Sequence, residues 1–304
     1  MSLHIFGAIV TGHGCAANNR GETEGNITTL QKLLWQGEVH TTVSAEAIRW
    51  ALRYYWQRTG QTVNRQWDDD QDNHKWRDPS WEGWSQENGK TYIDDDLLGF
   101  MLAEGAKEEG DEGTPKKGPR KKGTTNKRRG VLEVTRAIST TPYAGDITFN
   151  SISGEKKKGV SLYMTEMHAT RFQYGFALTP ERLREKSRCL FALDGLVNLG
   201  EVGGNHSRFL FDFSPESLVL RVTPDPAPRI LYCFREENGQ VSVPELARKV
   251  NSGDVRPEEL FIGGFIGQHQ EIKGLAGIKC FPGVKEALEA CKSMIRQQLG
   301  LGNE

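Results

Sequence analysis

The sequence predicts an α+β fold of the ferredoxin-like (RRM-like) kind, an antiparallel sheet with its helices on one face. Three observations carry this. The chain opens on LHIFGAIV, a near-continuous apolar run of strand length. Two capped amphipathic segments alternate with short apolar runs in the order strand, helix, strands, helix, strands. In ATRFQYGFALT, apolar residues recur at every second position, so Phe172, Tyr174, Phe176 and Leu178 share one strand face.

The elements follow in order. After the first strand, VSAEAIRWALRYYWQRTG predicts a helix with Ser44 as N-cap, Glu46 in the first turn and Gly60 as its stop. Ala45, Ile48, Leu52 and Tyr55 form its buried face. Arg49 and Arg53 lie one turn apart on the flank, beside Trp56. Residues 60–130 change character. They are acidic, tryptophan-rich and poor in aliphatics, and read as an insertion, partly helical, with a long mobile loop over about 104–129. Folding resumes at 131. DITFNSISGEKKKGVSLYMTE predicts a hairpin with a lysine tip. TPERLREKSRCLFALDGLVNLG predicts a helix with Thr179 as N-cap and Pro180 at its first position. A glycine loop, EVGGNHSR, precedes strand-like runs FLFDF, LVLRV and RILYCF. A short helix near 244–251, strands within 260–281 and a final helix, GVKEALEACKSMIRQQLG, complete the chain.

The bulk numbers narrow the function. The chain has 304 residues, enough to bury its own core, and balances 39 basic against 40 acidic side chains. Attraction to a polyanion therefore has to be local. Five cysteines, an odd count with no CxxC pair, point to a reducing cytoplasm rather than to disulfides or structural zinc. The N-terminal apolar run is too short for a signal peptide or a membrane span. No catalytic spacing stands out. Asp68-Asp69-Asp70 and Asp94-Asp95-Asp96 raise a metal-dependent nuclease, but the first triplet lacks the glycine and glutamate of a calcium loop. No cofactor is expected.

Several features fit a phosphate-backbone binder, each beside a plainer reading. Arg49 and Arg53 present two guanidinium forks near the helix N-terminus at Ser44, or snorkel along a core helix. Gly203 and Gly204 admit a ligand backbone closely, with Asn205, His206 and Arg208 as donors, or simply turn the chain. Lys156, Lys157 and Lys158 at the hairpin tip reach across a polyanion, or are solvated charge. Tyr163, Met164 and Met167 suit a wedge between bases if the hairpin protrudes, and core if it does not. Residues 114–129 carry eight basic residues and no acidic one: Lys116, Lys117, Arg120, Lys121, Lys122, Lys127, Arg128 and Arg129. Ordering so mobile a segment is costly, so it reads as an auxiliary electrostatic arm rather than the main grip.

At this point the residues resemble a family. HTTVSAEAIRWALR, YIDDDLLGFM, HATRFQYGFALTPERL and LVNLGEVGGNHSRFLFDFSPESLVL are similar, in order, to the CRISPR Cascade backbone subunits of the Cas-seven superfamily, DevR branch, associated with type I-B systems. The resemblance covers about residues 1–235. It implies an RRM-like palm from 1–59 and 131–304, an inserted finger region at 60–130 and a thumb hairpin at about 139–168. It implies a non-catalytic subunit, several copies of which line one guide RNA and present it in segments to target DNA, beside other Cascade subunits. Carried over, Ser44, Arg49 and Arg53 contact guide phosphates, residues 203–206 and Arg208 form the glycine-loop contact, and Tyr163, Met164 and Met167 are the wedge. The aspartates 94–96 would fix the finger or touch a neighbouring copy. Such a guide is held by phosphate, sugar and shape while base pairing reads sequence. The DevR branch also raises a DNA-binding transcriptional autoregulator, for which no helix-turn-helix pattern is present.

Overall fold

A computed structural model of the chain describes residues 2–103, 125–152, 161–204 and 208–302. Its centre is a nine-stranded sheet. Across it the strands run Lys279–Phe281, Leu260–Gly264, Pro215–Thr223, His4–Thr11, Phe172–Leu178, Ala137–Ser139, Glu38–Val43 and Lys32–Trp35, and Leu132–Val134 also pairs with Phe172–Leu178. His4–Thr11 is antiparallel to both neighbours. The principal helices are α1 (Ala45–Arg58), α2 (Ile93–Leu98), α3 (Arg188–Val197), α4 (Pro244–Asn251) and α5 (Val284–Leu299). No helix among the described residues is long and apolar enough to cross a membrane.

The first strand explains its own composition. Ile5 and Ile9 face a core that includes Ile48, Leu52 and Trp56 of α1, Leu193 of α3 and Ile295 of α5. Phe6, Ala8 and Val10 face a second core with Ile230, Leu246, Val255 and Ile272. A strand buried on both faces reads as a continuous apolar run. Gly7 is required between them, because a Cβ there would lie 2.0 Å from the ring of Phe176. The expectation of helices on one face only is thereby corrected: the segment after 224, including α4, covers the other face.

Four local expectations also change. The buried stripe of α1 is Ile48, Ala51, Leu52 and Trp56, with Ala45 and Tyr55 only half-buried. Trp56 is drawn in because its indole N–H donates to the Phe191 carbonyl at 3.0 Å. The helix predicted from Thr179 starts at Arg188. A short 3-10 turn at Pro180–Arg182 ends in extended backbone at Leu183, and the next two amides, of Arg184 and Glu185, donate to the Asp96 carboxylate instead of to a helix. RILYCF is not a strand, since Arg229 and Tyr232 take positive φ of 58° and 53°. FLFDF is not a strand either, although Phe211 and Phe213 are core residues.

Residues 60–130 are partly helical as expected, at Glu82–Ser85 and Ile93–Leu98, and add two β-ribbons. Arg65–Asp68 pairs with Asn73–Trp76, and Gly99–Ala103 with Thr125–Arg129. Of the mobile loop expected over 104–129, residues 125–129 instead form a paired strand, and residues 104–124 lie outside the described residues. The lysine-tipped hairpin forms from Asp146–Ile152 and Ser161–Thr170, and the latter strand runs parallel to Ile27–Leu30 in a separate five-stranded sheet.

Candidate nucleic-acid interface

The loop of Gly203, tied to Asn18 and Asn19, packs on the first turn of α1. Ser44 caps the helix, its hydroxyl accepting from the Ala47 amide at 3.2 Å. Gly203 lies against that turn with φ of 57°, and a Cβ on it would stand 3.2 Å from the Cβ of Ala47. Its carbonyl accepts from the amide of Asn19, while the Asn18 side chain donates to the Val202 carbonyl at 2.5 Å. Gly203 and Gly204 are exposed. Asn205 and His206 lie outside the described residues. Arg208 is exposed and reaches the hairpin, its guanidinium 5.4 Å from the ring centre of Tyr163.

The predicted hairpin wedge divides. Strand alternation puts Tyr163 and Met167 on one face and Met164 on the other, and all three are half-buried. They cannot act as one wedge. Opposite Met164 stands Phe149, and on the same face lie Ile147 and Leu162, which are 75%, 45% and 56% exposed respectively. Sequence reasoning did not nominate these three. The alternation of Ile147 and Phe149 in DITFN was the available signal. Lys156, Lys157 and Lys158 lie outside the described residues. At the hairpin base His168 is buried between Thr41 Oγ1 (2.8 Å) and the Pro142 carbonyl (3.1 Å), and burial pushes its imidazole down to about 4.

Arg49 and Arg53 point elsewhere than expected. Both line a cleft of about 590 Å³ between α1, the ribbon of residues 65–76 and the ribbon Gly99–Ala103 with Thr125–Arg129. Arg49 donates to the Leu98 carbonyl at 2.5 Å, and Arg53 pairs with Asp94 at 3.1 Å. Burial, and then the charge of Arg53, lower the pKa of Arg49. In this geometry the two arginines tie α1 to α2 rather than project free forks.

The aspartate triplet is the hub of that tie. Consecutive helix residues point about 100° apart, so three side chains in a row diverge. Asp94 takes Arg53 and the amides of Asn64 (2.7 Å) and Arg65 (3.1 Å). Asp95 takes the Asn64 amide group and the Trp81 indole, each at 2.9 Å; burial and the neighbouring Asp94 push its carboxyl up to about 7. Asp96 pairs with Arg128 at 2.6 Å and Arg188 at 2.8 Å, besides the amides of Arg184 and Glu185. Carboxylates aimed apart and committed to protein donors do not form a joint metal-ligand set. Among the described residues no cluster of three His, Cys, Asp or Glu side chains could hold a metal ion. The nuclease alternative thereby loses Asp94, Asp95 and Asp96 as a joint ligand set.

Arg128 is thereby corrected as well. It belongs to a paired strand, with its guanidinium on Asp96 and 4.4 Å from the ring centre of Trp84, not to a loose arm. Lys127 and Arg129 flank it and are exposed. Lys116, Lys117, Arg120, Lys121 and Lys122 lie outside the described residues.

No protein-family model matches the chain. A Myxococcus xanthus (strain DK1622) protein described as "CRISPR-associated protein Cas7/Cst2/DevR" is 52% identical over 308 residues, covering 97% of this chain and 98% of that one. Two solved chains share the fold over 97% of this chain and 100% of theirs. One, from a "CRISPR RNA-guided surveillance complex, pre-nicking", has a TM-score of 0.58 at 11% identity. The other, from a "CRISPR RNA-guided surveillance complex", has 0.56 at 13%.

Proposed function

The chain belongs to the Cas7/Cst2/DevR family of CRISPR-associated proteins, and from that premise we propose that it is a non-catalytic backbone subunit of an RNA-guided surveillance complex. It binds guide RNA independently of sequence, lines it in several copies, and presents it in segments for pairing with target DNA. Its partners are the guide, the target, further copies of itself and the other subunits of the complex, in the cytoplasm.

The observation that carries this reading is the meeting of Ser44 and Gly203 at the N-terminal turn of α1, with Gly204 exposed beside them in sequence. Backbone donors at a helix N-terminus bind phosphate without reading a base, which is what a guide of any sequence requires. Arg208 against Tyr163 extends the contact toward the hairpin, the thumb of this reading. Arg49 and Arg53 add positive potential from behind rather than a first contact. The palm is RRM-like in this reading. The strand order Pro215–Thr223, His4–Thr11, Phe172–Leu178, Ala137–Ser139, with α1 and α3 as crossovers, supports it.

The test is co-expression with a repeat-spacer array. The chain is expected to purify with RNA of defined length, several copies per RNA by native mass spectrometry. A nucleic-acid-free monomer under those conditions overturns the reading.

A further inference from the structure

The cleft between α1 and the ribbon of residues 65–76 carries chemistry that tying elements together does not use. Arg65 and Trp76 face each other across that ribbon. The Arg65 guanidinium stands 5.5 Å from the ring centre of Trp76. Among the described residues the Arg65 side chain has no carboxylate partner, and its Nε is buried without a hydrogen bond. Trp76 is 43% exposed, yet it is not loose. Its edge rests on Trp81 (centroids 5.6 Å, 76°), Trp81 stacks on Phe100 (4.6 Å, 10°), and Trp81 is pinned through its indole N–H to Asp95. A rigid aromatic with an open surface beside an unpaired guanidinium is a stacking platform.

The charge balance of the cleft agrees. Its cations are Arg49, Arg53, Arg65 and Arg128, and its carboxylates are Glu46, Asp94 and Asp95. Arg53 is neutralised by Asp94 and Arg128 by Asp96. Arg49 donates only to a carbonyl. Glu46, about one turn before Arg49 on α1, offsets part of its charge, so Arg65 is the cation an incoming anion would meet first, with Arg49 behind it. A volume of about 590 Å³ suits a nucleotide-sized group. A base must be unstacked to lie on Trp76, so the ligand is single-stranded rather than duplex.

We propose that this cleft is a second, sequence-tolerant nucleotide subsite, in which Trp76 stacks one unpaired base of a single-stranded polynucleotide and Arg65, backed by Arg49, takes the adjoining phosphate. The proposal rests on the nucleic-acid-binding reading above and adds a contact that reading does not contain.

The experiment uses the RNA-bound assembly, prepared with 4-thiouridine-substituted guide or with bromodeoxyuridine-substituted target strand. Ultraviolet cross-linking is expected to mark the peptide spanning residues 66–77. A cross-link to guide alone assigns the subsite to the guide, and one that needs added target assigns it to target DNA. W76A should weaken binding of that strand by roughly 5- to 150-fold, the range for losing one base-aromatic stack, while W76F should retain most of it. R65A should lower the salt slope by about 0.7, one phosphate contact on a single strand. Assemblies that form normally, show no such cross-link, and have W76A and R65A indistinguishable from wild type overturn the subsite and leave the backbone-subunit reading standing. Wild type that assembles on no RNA overturns that reading, and this one with it. Loss of copies per guide in W76A with unchanged affinity of a single copy would make the cleft a protein contact and overturn the nucleotide assignment.

Discussion

Asp96 shows what one residue contributes here. Its side chain is fully buried and joins Arg128 of one ribbon, Arg188 of α3 and two backbone amides. Removing one member of such a network leaves the other charge buried and unpaired, which costs roughly 3–5 kcal/mol. D96N is therefore expected to lower the urea unfolding midpoint sharply with an unchanged slope, and wild-type stability in that variant would contradict the hub. His168 predicts a pH response. Folded, its imidazole takes a proton only near pH 4; unfolded, near the ordinary 6.5. Between those values the unfolded chain binds more protons, so stability falls as pH falls through that window. H168Q should lose this part of the slope when unfolding midpoints are compared from pH 7 to pH 4, and parallel curves for the two proteins would refute the assignment.

At the scale of elements, the ribbon Gly99–Ala103 with Thr125–Arg129 redraws the basic segment of residues 114–129. Arg128 is structural, so a deletion through 129 would remove a core ion pair. Deleting 114–124 instead leaves residues 104–113 to join Ala103 to Thr125, which face each other directly across the ribbon. That length exceeds what a hairpin needs. The expected variant assembles on guide RNA as wild type does and loses affinity for target DNA at low salt only; failed assembly in a folded variant would show these residues to be part of the main grip. The same elements show where sequence was legible. His4–Thr11, a continuous apolar run, Phe172–Leu178, which alternates, and the amphipathic helices α1, α4 and α5, the first capped by Ser44, were readable. The α3 boundary was not, because a carboxylate at position 96 takes the amides of Arg184 and Glu185. The cleft was not, because Arg65 and Trp76 meet only through strand pairing, and the pairing of Arg49 and Arg53 depends on residues some forty positions away.

For the whole molecule, two cores close both faces of the central sheet, so the flat face that sheet-type RNA binders use for stacking is filled by Phe6, Ala8 and Val10 against the segment after 224. In the proposed reading, contact with a polyanion then falls to the helix N-terminus, the cleft and the hairpin. If copies line one guide as proposed, the near-neutral net charge of -1 suits their standing side by side, which a uniformly basic chain would oppose. In that reading the hairpin is the joint between copies. Ile147, Phe149 and Leu162 form a largely exposed apolar face with Met164, on an element that protein contact otherwise leaves open to water. If that face packs on a neighbour, removing its most exposed members weakens the array without touching the grip of one copy. The double variant F149A/L162A is expected to bind a short RNA that holds one copy as tightly as wild type, and to populate a full-length guide with fewer copies by native mass spectrometry. A full complement of copies with lowered single-copy affinity would place the face on the RNA instead.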